Sequence, residues 1–324
     1  MLLRRTFLAA LSATAVAGVA HAQAPAFPSR SVTIVVPFPA GGITDTIARA
    51  LAQKMAETLG KPVIVDNKPG AGGQIAANQV KQADADGHTV YVAATEMFAI
   101  NQNLFRKFSY DPVKDFAPVT SLIASPLVLV VPSNSPANSV AELVQLAKTR
   151  KDGLNFASQG MGSIGHLLGE LFRGKTGGHF QHVAYKGSAP ALQDVMSGQV
   201  DMMFDPIIST GPLINGKKLK PLAIAAVKRA AQLPDVPTLG ELGIQGVDAG
   251  VWFGAVVKAG TPAPAIAKLN EAFLKALNEP DIQKRFAEQG MQAFPSTPAQ
   301  FGSFIQSEVA RWTPLIKASG ATID

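Results

Sequence analysis

Apolar positions along the chain alternate between two periods. Val32 to Phe38 is a β-branched apolar run, the pattern of a strand covered on both faces. Thr44 to Leu59 then sets Ile47, Leu51, Met55 and Leu59 at helical spacing and stops at Gly60, which predicts a helix with a glycine end. Val63 to Val65, Gly72 to Ala83 and Thr89 to Ala94 continue as strand, helix and strand. The series predicts a parallel, doubly wound sheet.

Val119 to Val131 is different: long, apolar and broken by Pro126. It reads as a crossover into a second domain. A further α/β series follows. Its strands fall near Leu154–Ala157, Phe180–Ala184, Val200–Phe204 and Leu219–Ala226, and its helices near Val140–Lys148, Ile164–Lys175 and Ala189–Ser197. Val251 to Val257 reads as the return crossover. The tail is helical over Ala263–Leu277, Asp281–Glu288 and Pro298–Ala318, with Pro314 expected to kink or divide the last helix. Two crossings imply a discontinuous first domain, 27–124 with 251–324, and an inserted domain, 125–250, with a cleft and a two-strand hinge between them.

Composition adds the compartment. A short basic start with Arg4 and Arg5, an apolar run from Thr6 to Ala20 and Ala20-His21-Ala22 form the layout of a secretory signal, 1–22, cleaved after Ala22. The run is shorter than the roughly 20 residues of a membrane span. Arg4-Arg5 leaves the ordinary and the twin-arginine export routes both open. The chain has no cysteine, so neither a disulfide nor a lipid anchor on cysteine is available. The formal charge of +6 drops to +4 without Arg4 and Arg5. The remaining basic residues are scattered and not interleaved with aromatics, which argues against nucleic-acid binding.

Strand-to-helix loops carry the candidate chemistry. Pro37-Phe38-Pro39-Ala40-Gly41-Gly42-Ile43-Thr44-Asp45 opens the first helix. Its glycines permit close backbone approach, and a helix start favours an anion. A plain turn, with Thr44 or Asp45 capping the helix, fits the same residues. Walker spacing is missing both here and at Asn67 to Gly73. Ser158 to His166 contains Gly160, Gly162 and Gly165 at G-x-G-x-x-G spacing, but the next strand ends at Ala184-Tyr185-Lys186 with no acid for a ribose. A second anion- or hydroxyl-binding helix start, with Ser158 and Ser163 as donors, fits better. Gly187 opens the next helix, and Thr95 and Asp205 end strands. Asp205 reads equally as an acceptor for a ligand amine or hydroxyl and as a cap for the following helix. No nucleophile elbow, paired acids or metal-ligand set is visible, so the sequence reads as a binding protein with no metal and no cofactor. His166 reads as a structural hydrogen-bonding residue. No arginine occupies these loops, and Lys186 is their one strong cation. An anion would be held by backbone N–H groups, hydroxyls and bridging waters rather than by a guanidinium.

These motifs together resemble the substrate-binding proteins of tripartite tricarboxylate transporters, the Bordetella uptake gene family. The resemblance rests on Val36-Pro37-Phe38-Pro39-Ala40-Gly41-Gly42 with Asp45, Asn67 to Gly73, Tyr110-Asp111-Pro112 and Tyr185-Lys186-Gly187. Gly198-Gln199-Val200-Asp201, Phe204-Asp205, Leu233 to Thr238 and Trp252-Phe253-Gly254 extend it along the whole mature chain. It implies an α/β, two-domain periplasmic binding fold of the Venus flytrap kind, type II-like, with two crossover strands and a central ligand cleft. It also implies a periplasmic monomer that gives a small carboxylate to the membrane permease subunits, without inserting into the membrane itself. The ligand contacts it implies are Phe38, Ala40, Gly41, Gly42, Thr44, Asp45, Thr95, Ser158, Gly160, Ser163, His166, Gly187 and Asp205. Thr95-Glu96-Met97-Phe98, Gln159, Met161 and Ile207-Ile208 depart from the family's usual residues. Being bulkier and more apolar, they suggest an aliphatic or aromatic acid over citrate, with Met97, Phe98, Met161 and Ile207 shaping the fit. An amino acid or amide ligand meeting Asp205, a sensor role and, last, a periplasmic enzyme using the same cleft are the alternatives.

Overall fold

The computed structural model describes residues 27–324; the expected signal segment, 1–22, lies outside them. The first half-sheet is built from β1 (Val32–Val36), α1 (Ile43–Leu59), β2 (Val63–Asn67), α2 (Gln74–Gln82) and β3 (Thr89–Ala94). β1 pairs in parallel with β2 on one side and β3 on the other. Val32, Ile34, Val35 and Val36 are all fully buried, as a strand covered by helices on both faces requires. A short π-helical turn (Glu96–Ile100) and α3 (Asn101–Leu104) follow directly.

β4 (Phe116–Pro132) is a single strand of 17 residues. Beyond it come α4 (Val140–Thr149), β5 (Leu154–Ser158), α5 (Ile164–Thr176), β6 (Phe180–Ala184), α6 (Ser188–Ser197), β7 (Met202–Pro206), α7 (Ile207–Asn215) and β8 (Leu219–Ala225). The chain returns through β9 (Gly250–Lys258) to α8 (Ala263–Asn278), α9 (Pro280–Glu288), β10 (Gln292–Ala293) and α10 (Pro298–Ser319). The strands run in the order β2-β1-β3-β9-β4-β7-β5-β6, with β8 and β10 also on β4. β4 pairs antiparallel with β9 from Phe116 to Pro126, then with β7 and β8 from Leu127 onward. One strand thus passes from one half of the molecule to the other.

α10 contains Pro314 yet runs unbroken, contrary to the division expected. Proline removes one helical N–H. Trp312 and Ile316, buried on either side of it, hold the helix in place. Both tryptophans of the chain, Trp252 and Trp312, donate their indole N–H to the same oxygen of buried Glu308, at 2.9 and 3.1 Å. This three-residue cluster locks α10 onto β9 beside the return crossover.

Candidate functional site

The loop after β1 is braced from within. Gly41 has φ +83°, a left-handed conformation that glycine adopts without strain. Its N–H donates to Asp45 Oδ2 at 2.8 Å. Asp45 also accepts from Arg49 Nε at 3.0 Å and from Asn67 Nδ2 at 3.0 Å, and Asn67 donates in turn to Phe38 O. Burial opposes ionisation of Asp45, but the Arg49, Gly41 and Asn67 contacts outweigh it and lower its pKa. Asp45 is therefore a brace under the loop. Neither it nor Thr44 caps α1, whose N-cap is Gly42 with no side-chain bond. The N–H of Gly42 points back to Pro39 O. The N–H groups of Ile43, Thr44 and Asp45 belong to the first helical turn, where no intrahelical acceptor exists.

Three further helices start in the same region. Ser163 caps α5, accepting from His166 N–H. Gly187 and Pro206 precede α6 and α7 without any side-chain cap. A cavity of about 280 Å³ is lined by Ile43 of α1, Ser163 and Ile164 of α5, Gly187 and Ser188 of α6, and Ile208 and Ser209 of α7. Phe38, Glu96, Ser125, Gln159, Pro206, Val251, Phe253 and Met291 complete its wall. A wider recess of about 560 Å³ adjoins it and shares Ile43, Ile208 and Met291. Four helix N-termini thus surround one space, each with the positive end of its dipole inward. Among the described residues no lysine or arginine lines the inner cavity.

The expected contacts divide into two groups. Phe38, Ser163 and Gly187 line the inner cavity, and Gly41 lines the outer recess. Ala40, Gly42, Thr44, Asp45, Thr95, Ser158, Gly160, His166 and Asp205 line neither. Thr95 is fully buried and exchanges hydrogen bonds with the Trp252 backbone, at 2.8 and 3.2 Å, so it ties β3 to β9. Ser158 is fully buried too, spanning Gly160 and His182 Nε2, the latter at 2.7 Å. His166 accepts the Gly162 N–H on Nδ1 at 3.0 Å, which places its own proton on Nε2, and its ring stacks on His182 at 3.8 Å. The structural role expected for His166 fits this arrangement. Burial, with His182 and Arg173 nearby, lowers the His166 pKa to about 4, and burial lowers that of His182 to about 4.

Asp205 does not cap α7. It is fully buried, and its Oδ1 accepts from Ser188 Oγ at 2.7 Å and from Gln159 Nε2. Oδ2 has no hydrogen-bond partner, although the Ser209 hydroxyl lies beside it. Burial pushes its pKa up to about 6, against the lowering effect of Ser188, Gln159 and Ser209. Lys186 is exposed and lines neither cavity. The side chains expected to shape the fit also lie elsewhere. Met97 and Phe98 are buried, Phe98 stacked on Trp252 at 5.7 Å. Met161 faces solvent, and Ile207 reaches only the outer recess. The cause is the π-helical turn: leaving β3 it sends Met97 to Ile100 into the core and leaves Glu96 at the cavity. Ser125, Ser188, Ser209, Phe253 and Met291 escaped the sequence reading as cavity residues, and Glu96 entered it only as part of the run Thr95 to Phe98. For Glu96 a signal was available: an acid one position past a strand end that already faces a cleft.

Fold and cleft together are those of a two-domain periplasmic binding protein. The chain belongs to the tripartite tricarboxylate transporter family receptors, whose family model matches residues 47–321. It is 34% identical to protein BugT of Bordetella pertussis, over 95% of this chain and 95% of that protein. Among solved structures it resembles R. palustris Rpa4515 with adipate, with TM-score 0.80 and 34% identity over 92% of this chain and 100% of that one. It also resembles MatC from Rhodopseudomonas palustris with bound malate, with TM-score 0.75 and 37% identity over 90% and 100% of the two chains. A third similar structure, with TM-score 0.79 and 35% identity over 92% of this chain and 100% of that one, is described as a periplasmic transporter; among the described residues no helix is long and apolar enough to cross a membrane.

Proposed function

We propose that this protein is an exported receptor, not an enzyme, that captures a small organic carboxylate and presents it to the membrane subunits of a tripartite tricarboxylate-type transporter. The observation that carries the reading is the convergence of the α1, α5, α6 and α7 N-termini on one cavity with no cationic side chain. Helix N-termini hold carboxylates through free N–H groups and the aligned dipole. The adipate and malate in the two related structures support the same class of ligand. A volume of about 280 Å³ lies at the small end of ligand pockets. With Phe38, Ile43, Ile208 and Phe253 in the wall, it favours a short aliphatic or aromatic acid over citrate.

The domain division belongs to the same proposal: 27–124 with 251–324 on one side and 125–250 on the other. It is supported by the exchange of partners along β4 between Pro126 and Leu127. Cleavage after Ala22, a monomeric state and the permease partner complete it. A thermal-shift screen of residues 23–324 against mono- and dicarboxylates tests it. A ligand at about a hundred times its Kd adds about 2.7 kcal/mol of stability, so a clear rise in Tm is expected for at least one acid. A flat response to every acid would refute the reading.

A further inference from the structure

Among the described residues, Glu96 is the one ionisable side chain that lines the inner cavity. It lies deep in the molecule, and solvent reaches it through that cavity, so the residue is only half-buried by exposure. Its carboxylate meets its own backbone N–H, and it has no hydrogen bond or ion pair with the side chain of another described residue. Across the cleft, Gln159 spends both its N–H bonds on Phe204 O and Asp205 Oδ1 and leaves a buried Oε1 without a donor. Asp205 lies behind Gln159 and Ser188, outside the cavity lining, and has the Ser209 hydroxyl beside it. The inner cavity therefore sets the Glu96 carboxylate in its wall with no cation among the described residues to meet it, while the unmet Gln159 Oε1 lies behind the wall against Gly165. Buried acceptors without partners are uncommon in native proteins, and each is unfavourable. Desolvation raises the pKa of Glu96, as expected for a carboxylate that lacks a counter-charge.

The anion-favouring helix starts and this lone carboxylate call for opposite charges on one ligand. A second carboxylate placed against Glu96 would meet a like charge in a poorly solvated space. A protonated amine brings the opposite charge and three donors. Resting on the carboxylate reading above, we infer that Glu96 selects for a protonated amine, so that the preferred ligands are small amino-carboxylic acids rather than dicarboxylates. Glu96 then acts as the specificity-determining residue of this cleft.

Calorimetric titration of residues 23–324 at pH 8 with matched pairs tests the assignment: adipate against 6-aminohexanoate, and malate against aspartate. Wild type and Glu96→Gln are compared, with circular dichroism to confirm that both fold. Loss of a charge-assisted hydrogen bond corresponds to about a tenfold to hundredfold change in affinity. The wild type should favour the amino member of at least one pair by about tenfold or more, and Glu96→Gln should bring that ratio near unity. A wild type that binds the dicarboxylate as tightly as its amino partner, or a ratio that survives Glu96→Gln, overturns the role of Glu96 and leaves the carboxylate reading standing. Folded proteins that bind no member of either pair would overturn this inference, and the carboxylate reading falls only if the wider acid screen is also blank.

Discussion

Replacing Asp205 with asparagine should stabilise the protein at pH 7.5 and change little at pH 4. Asp205 is fully buried, with one oxygen satisfied by Ser188 and Gln159 and the other unpartnered. Burial raises its pKa from 3.8 to about 6. A carboxyl group whose pKa is higher folded than unfolded weakens the fold once both states are ionised. The penalty is full above about pH 6 and fades as pH falls toward 3.8, because the folded state takes up the proton first. Two units at about 1.4 kcal/mol each set the ceiling near 3 kcal/mol. Asparagine keeps an oxygen for Ser188 and Gln159 and turns an N–H toward the Ser209 side. Its second N–H is left unmet, which offsets part of the gain, so about 1–3 kcal/mol should remain. At this chain length about 1 kcal/mol moves Tm by about 2 °C, which predicts a rise of about 2–6 °C. Differential scanning calorimetry of both ligand-free proteins at pH 7.5 and pH 4 gives the double difference. His166 and His182 titrate alike in both proteins and cancel. A variant less stable than wild type at pH 7.5, or a difference that persists unchanged at pH 4, would refute the burial argument.

Gly41→Ala should raise the Kd for a carboxylate at least several-fold and lower Tm by about 2–4 °C. An added Cβ meets nothing within 4 Å, so the effect comes from the +83° φ and the displaced N–H bond to Asp45; an unchanged Kd would separate this loop from the anion. Glu308→Ala should destabilise by about 2–4 kcal/mol, since two buried indole N–H groups lose their shared acceptor. Chemical denaturation followed by tryptophan fluorescence measures it, and a loss below about 0.5 kcal/mol would contradict the account. His166 and His182 have folded pKa values near 4, below the ordinary 6.5. Stability they support above pH 6.5 should therefore be lost as pH falls from 6.5 toward 4. His182→Phe should show a shallower acid loss of Tm over that window, and an identical slope would remove the pair as its cause.

Elements were legible where local pattern and burial coincide. β1 reads as a strand because four of its five residues are apolar and fully buried. α1 reads as a helix because Ile47, Leu51 and Met55 share its buried face. The crossovers showed themselves by being apolar at neither helical nor alternating spacing, and β4 and β9 do lie side by side at the centre of the sheet. Wall residues of the cavity were less visible. A π-helical turn has no sequence signature, so Thr95-Glu96-Met97-Phe98 read as four residues facing the cleft when only Glu96 lines it. Contacts such as Asp205 with Ser188, or His182 with Ser158, depend on how β5, β6 and β7 register against one another. Motif spacing singled out loops from which Phe38, Ser163 and Gly187 line the inner cavity. It could not separate residues that touch the space from those that shape the loop beneath it, which is where Asp45, Thr95, Ser158 and His166 belong.

The lack of a lysine or arginine in the inner cavity has a physical consequence for how such a cleft works. A flexible cation beside Glu96 would pair with it in the empty protein, and each ligand would first have to break that pair. Helix N-termini are fixed partial charges of about half a unit each and need no side-chain ordering to act. With no cation present among the described lining residues, the donor field of the helix starts and the Glu96 carboxylate stand on separate elements around the space. Both remain directed at the space between them. α1 and Glu96 stand on the β1–β3 side of the sheet, and α5, α6 and α7 on the β5–β7 side. An anion reaching both sides gains its full set of N–H contacts only when the two sides face it together. That difference in affinity between two arrangements is what a ligand needs to drive a hinged molecule from one to the other.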